Sequence, residues 1–182
     1  MDNFSITKNG KPLDESLYSI DFKKKVFISK EIHLVLDFTE LEKWSFITNN
    51  ICTFITGRFC TFTTGNECTF TTGHDCIFDT GNECTFTTRG GCTFSTGWDC
   101  MFKTWNNCTF KTSEQCIFKT CWQCTFDVGD LCTFSVYNIN GCKFKIGSGY
   151  EVYEHGIIVD RKDNKHYVLT KELIKMLKVK NG

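Results

Sequence analysis

No sign of charge dominates this chain. Its 182 residues hold 21 lysines and arginines against 21 aspartates and glutamates, so net charge gives no reason to expect a nucleic acid or an anionic membrane as partner. No run approaches the ~18 apolar residues of a membrane span. The opening MDNF has no basic segment and no apolar one follows it, so no secretory leader is expected. Motifs of catalysis are missing as well. There is no Gly-rich phosphate loop, no G-x-S-x-G and no H-E-x-x-H, and His33, His74, His155 and His166 each stand away from any candidate nucleophile. The expectation is a protein that is not an enzyme, carries no cofactor and does not bind nucleic acid directly.

What is present is a repeat. Cysteine stands at 52, 60, 68, 76, 84, 92, 100, 108, 116, 124 and 132, and Cys142 adds a twelfth copy two residues late. Phenylalanine follows each cysteine by two positions, from Phe54 to Phe144. Position five is Thr from Thr56 to Thr120 and then Val128, Val136 and Ile146, and position six is Gly in seven copies. No helix has this period, and glycine-punctuated Thr/Phe runs read as short strands joined by tight turns. Side chains alternate along a strand, so Cys, Phe and Thr share the inner face while Thr63, Asp79, Lys103, Lys111 and Lys119 point out.

One octad cannot bury its inner face alone, so the copies must stack as a β-solenoid. Two octads, 16 residues, suffice to close a coil. The turns support that number by alternating in character. GNE, GNE, GWD, SEQ and GDL each carry an acid (Glu67, Glu83, Asp99, Glu114, Asp130). The intervening turns GRF, GHD, RGG, WNN and CWQ carry Arg58, Phe59, His74, Arg89, Trp105 and Trp122, with Asp75 their one acid. Alternate turns therefore fall on opposite edges of a narrow, two-sheeted, parallel, all-β solenoid spanning 36–147. Upstream, WSFITNNI and LDFTELEK read as divergent first rungs, with Leu36 and Phe38 keeping the inner slots.

Residues 1–35 read as a β-rich N-terminal cap, with an Asn9-Gly10 hairpin signal and strands at YSIDF, KVFIS and IHLVL. Residues 148–182 read as a C-terminal cap, a hairpin around RKDN followed by a helix beginning at Thr170. Such caps cover open strand edges, and they are where copies of the chain would associate if it oligomerises.

Thirteen cysteines are an odd count for a disulfide framework. Zinc sites use closer pairs than a uniform spacing of eight, so no metal is expected, and stacked parallel side chains suit disulfide geometry poorly. The preferred reading is a ladder of reduced, buried thiols. The facing strands of a coil run antiparallel, so Phe should face Phe and Cys should face position five.

Two surfaces are candidates for function. Outward pairs such as Thr61/Thr63, Thr69/Thr71, Thr85/Thr87 and Thr93/Ser95 resemble the T-x-T rows of insect-type antifreeze proteins, which implies ice binding, but Ile77/Asp79, Met101/Lys103 and Ile117/Lys119 break the rows. The turns collect aromatics, the usual anchors of protein interfaces. The candidate binding residues are Arg58, His74, Arg89, Trp105 and Trp122 on one edge, with Trp98 and Tyr137 in other turns. Tryptophan in place of a turn glycine is expected to forfeit the positive φ that glycine offers.

Between Leu34 and Gly147, the tandem C-T-F-x-T-G-x-x octads, preceded by LVLDF and followed by a short charged tail, resemble proteins of bacteriophage and prophage genomes. The resemblance implies a phage source and a repeat fold; it transfers no activity and no site residues. It places the protein in the host cytosol or the virion. The implied role is binding to a host or phage protein, as a virion component or as a stoichiometric inhibitor of host machinery such as a defence nuclease. The Asn/Asp-rich turns typical of that family give way to RGG, WNN, SEQ and CWQ between 89 and 123, which marks this part as the most specialised.

Overall fold

Thr and Phe at octad positions two to four form the strands, and the strands stack every 16 residues. The computed structural model describes residues 4–129, 132–136, 142–146, 157–160 and 165–168. Within them, strands such as Thr69–Thr71, Thr85–Thr87 and Met101–Lys103 build a first sheet of eleven, and Thr61–Thr63, Ile77–Asp79 and Thr93–Thr96 belong to a second sheet of nine. Along the repeat, neighbours pair parallel and in register, Phe70 with Phe86 in one sheet and Phe78 with Phe94 in the other. Two octads per coil, the number read from the turns, is what the pairing shows.

The parallel stack begins upstream of the octads. Val26–Ser29 pairs parallel with Ser45–Ile47, placing Phe27 beside Phe46, and Trp44 is buried in the slot that cysteine fills later. The next rung corrects the register expected for LDFTELEK. Leu36 pairs with Phe54 and Phe38 with Thr56, so Leu34 and not Leu36 fills the cysteine slot, and Phe38 sits at position five. An alternating apolar strand fits two registers two residues apart, because both keep the same face inward. At the outer end, Ser5–Lys8 pairs antiparallel with Leu34–Phe38 and turns through Asn9 and Gly10, both at positive φ, into Lys11–Pro12. This is the two-residue hairpin that the Asn-Gly pair predicts, and its last strand carries a proline that blunts further pairing. Tyr18–Asp21 closes the second sheet in the same way. At the other end, Ile157–Asp160 continues the first sheet in parallel and pairs back with Lys165–Val168. The helix expected from Thr170 lies outside the described residues.

The core is a double file of phenylalanines. Within a file the rings stack at 4.8–5.0 Å and nearly parallel, as in Phe54–Phe70, Phe78–Phe94 and Phe110–Phe126. Between files they meet edge to face, for example Phe70–Phe78 at 5.2 Å and 75°. Both geometries suit the aromatic quadrupole, and each pair adds about 0.5–1.5 kcal/mol beyond its buried area. All thirteen cysteines are free, and every one except Cys121 is buried. Each file of thiols lies behind one edge and faces the threonine four residues earlier, as in Cys60 with Thr56 and Cys84 with Thr80. The thiols also serve the turns. Cys84 Sγ donates to the carbonyls of Asn82 at 3.3 Å and Gly65 at 3.6 Å, and Cys76 makes the equivalent bonds to His74 and Gly57. Hydrogen bonds to the thiols above and below, and then burial, push Cys76, Cys84, Cys108 and Cys116 well above the ordinary thiol range.

Position eight, not position six, is where each turn takes the left-handed conformation. Ile51, Phe59, Glu67, Asp75, Glu83, Asp99, Asn107, Gln115 and Gln123 have φ between 54° and 61°, and Gly91 has 75°. The position-six glycines answer to close approach instead. A Cβ on Gly81 would lie 2.0 Å from Asn66 Oδ1, and one on Gly97 would lie 1.7 Å from Asn82 Oδ1.

Candidate binding edge

The two edges can now be told apart. On one, here the Asn edge, each turn is tied to the next by an amide side chain. Asn50 Oδ1 accepts from the Asn66 backbone N–H at 3.0 Å, Asn66 Oδ1 from Asn82 at 3.0 Å, and Asn82 Oδ1 from Trp98 at 3.2 Å. The ladder stops at Trp98, which has no amide oxygen to offer. On the following rung Ser113 replaces glycine at position six, as it can once no Asn Oδ1 lies below it. Trp98 therefore belongs to the Asn edge, away from the other candidate residues, and Tyr137 lies outside the described residues.

Arg58, His74, Arg89, Trp105 and Trp122 fall on successive turns of the other edge. Stacking along the repeat sorts them into two columns. Position six runs Gly57, Gly73, Arg89, Trp105, Cys121, joined in part by Gly73 N–H to Gly57 O, Arg89 N–H to Gly73 O and Cys121 N–H to Trp105 O. Position seven runs Arg58, His74, Gly90, Asn106, Trp122. Because position six is not at positive φ, Arg89 and Trp105 carry no left-handed strain there, which corrects the expectation that tryptophan forfeits glycine's φ. What they change is relief. Gly57 and Gly73 leave an open groove of about 580 Å3 bounded by Thr39, Glu42, Arg58, Thr71, His74 and Arg89. Beyond it the edge is raised by Trp105, 61% exposed, and Trp122, 48% exposed. Arg58 is anchored through Nε to Glu42 and lies over the Phe59 ring.

The outer face of the first sheet adds residues that in the sequence stand out only as breaks in the Thr rows. Met101 pairs with Ile117 and Lys103 with Lys119, and all four are exposed. The signal was in the octads themselves, since CMFKTWNN and CIFKTCWQ both place an apolar residue at two, Lys at four and Trp at six or seven. Charge is segregated across the molecule although the total is zero. Between 52 and 129, the first sheet and its edge carry Arg58, Arg89, Lys103 and Lys119 against Asp75 alone. The second sheet and the Asn edge carry Glu67, Asp79, Glu83, Asp99, Glu114 and Asp127 against Lys111 alone.

Among the described residues no three His, Cys, Asp or Glu side chains converge as a metal site would need, and no helix is long and apolar enough to cross a membrane. The chain matches no protein-family model, no curated protein and no solved structure.

Proposed function

We propose that this protein works by binding another protein through the Arg/Trp edge and the adjoining face of the first sheet, without catalysing a reaction. The observation that carries the reading is the patch on the rungs of Met101–Lys103 and Ile117–Thr120. There two exposed tryptophans, two exposed aliphatic side chains and two lysines share one side of a rigid stack. Large exposed aromatics beside cations are the composition of interface anchors, and a solenoid holds them with little ordering cost on binding. The phage resemblance makes the partner a host protein, such as a component of host defence, or a protein of the virion. Changing Trp105 and Trp122 together to Ala should leave the circular dichroism and melting temperature unchanged, because neither touches the phenylalanine files. The same change should abolish capture of a partner that the wild-type chain retains from host lysate, a loss on the order of 2 kcal/mol or more. If the tryptophan pair proves silent and charge reversal at Glu67, Glu83 and Asp99 is decisive instead, the Asn edge is the binding surface.

Ice binding is the second reading. It rests on Thr69/Thr71 and Thr85/Thr87, which pair in register on the first sheet. That array is bounded by Ile55 on one side and Met101/Lys103 on the other. An ice-recrystallisation assay on the wild-type protein tests it, and crystals that coarsen at the rate of the buffer control refute it.

A further inference from the structure

The groove is a different surface from the tryptophan patch, though it lies on the same edge. It exists because position six is glycine at Gly57 and Gly73, and it ends where Arg89 enters that column. Arg58, His74 and Arg89 face it from three consecutive rungs, so the arginine-bearing rungs at its two ends lie roughly 10 Å apart at ~4.8 Å per rung. Arg58 uses Nε to hold Glu42, leaving its two terminal nitrogens to point elsewhere. His74 and Arg89 make no side-chain hydrogen bond or ion pair within the described residues. Thr39 and Thr71 add hydroxyls to the walls.

We infer that this groove receives the carboxylates of an extended acidic segment of the partner protein, an assignment that rests on the protein-binding reading above. Charge selects the ligand class. Two guanidinium groups against the one carboxylate of Glu42 leave a surplus of one positive charge. That surplus suits one or two carboxylates, which arginine holds through paired N–H donors. It does not suit a nucleic-acid strand, which brings a charge every ~3.4 Å of its axis. No Phe, Tyr or Trp lines the groove to stack a base. A segment running along the stack would leave the groove past Arg89 and arrive at Trp105 and Trp122. The recognised sequence is therefore two acids, one to three residues apart, followed by large apolar residues. The carboxylates fix its direction and the tryptophans hold its far end.

Fluorescence anisotropy on the full chain tests this with three labelled probes: a peptide of sequence EGEGGLFLF, its QGQGGLFLF counterpart and oligo(dT). The expected result is at least tenfold tighter binding of the Glu peptide than of the Gln peptide, with oligo(dT) weaker than either. In Arg58→Ala/Arg89→Ala the preference for Glu should vanish while the Gln peptide binds as before. Arg89→Ala alone, which breaks no ion pair, should lose part of the preference and guards against an effect of freeing Glu42. In the Trp105→Ala/Trp122→Ala protein both peptides should weaken together and the preference for Glu should survive. Equal binding of Glu and Gln peptides to the wild-type chain, or tighter binding of oligo(dT), overturns the assignment. The edge reading would still stand if the tryptophan pair were needed to capture the partner. If the tryptophan pair is dispensable for that capture, the edge reading itself falls.

Discussion

On the Asn edge, the side chains of Asn50, Asn66 and Asn82 are each committed to the backbone amide of the next rung. On the Arg/Trp edge, Arg58 and His74 stand at the same octad position and have no oxygen to offer, so apart from the Arg58–Glu42 ion pair at its start that edge is held by backbone bonds and buried thiols. Both edges keep the left-handed residue before each cysteine and the same thiol-to-carbonyl bonds. The backbone of the turn is thus secured from inside, by cysteine, and the side chains at positions six and seven are optional reinforcement. One edge uses them to stiffen the stack. The other, beyond the Arg58–Glu42 pair, leaves them free, and that is where arginine, histidine and tryptophan accumulate.

The comparison can be broken in several ways, beginning with the core that both edges share. Phe86→Ala removes a ring stacked on Phe70 and Phe102 and edge-on to Phe78 and Phe94. It should cost about 3–5 kcal/mol in denaturant melts, whichever edge is considered. Gly81→Ala on the Asn edge drives a Cβ into Asn66 Oδ1 and should cost about 1–3 kcal/mol. Arg89→Ala, at the same octad position on the other edge, should stay within about 0.5 kcal/mol. Equal losses for these two would show that both edges are structural. Asn66→Ala should cost about 1 kcal/mol through the Asn82 amide it abandons, while His74→Ala should again be near neutral.

The smallest difference between the edges concerns the thiols, which should not distinguish them. Cys84 and Cys116 behind one edge and Cys76 and Cys108 behind the other all hold their protons more tightly when folded than the ordinary value near 9.0. Their contribution is complete below that value and is lost as pH rises above it. Ionising these four thiols should therefore make stability, measured by urea melts, fall in the alkaline range. In the native state a thiol reagent should label Cys121, the half-buried cysteine, rapidly. The others should react only on unfolding.

Much of this architecture was legible from residue order. The eight-residue spacing marked the strands, the replacement of Thr by Val128 marked position five as interior, and the alternating acid content of the turns set two octads per coil. The rest is hidden in the sequence for physical reasons. Glycine at position six suggests a positive φ, yet its role is to let Asn Oδ1 or a backbone carbonyl pass close by, and the positive φ falls on residues as unsuited to it as Ile51 and Phe59. The Asn ladder shows in the sequence only as GNE occurring twice, since the bond joins residues 16 apart. The groove could not be read at all. It depends on the absence of side chains at Gly57 and Gly73 lying beside arginines of other rungs, a relation that exists only once the coils are stacked. Met101 and Ile117 are visible in the sequence, but there they read as defects in a threonine row rather than as a pair.

The coil of two nearly identical halves imposes a parity rule on any change in length. Adding or deleting 16 residues preserves the pairing of each rung with its neighbour, lengthens or shortens the stack by one layer, and keeps every turn on its own side. Adding or deleting a single octad would satisfy the Cys, Phe and Thr slots equally well and would fold, yet it would carry every later turn across to the opposite side. Insert one before Cys68 and Trp105 and Trp122 would join the side of Asn50, while Arg58 stayed where it was. The interior would accept such a change and the surface would be scrambled. Drift in the number of repeats is therefore tolerated in even steps, and an odd step is the mutation that leaves a folded solenoid with its binding edge divided between two sides.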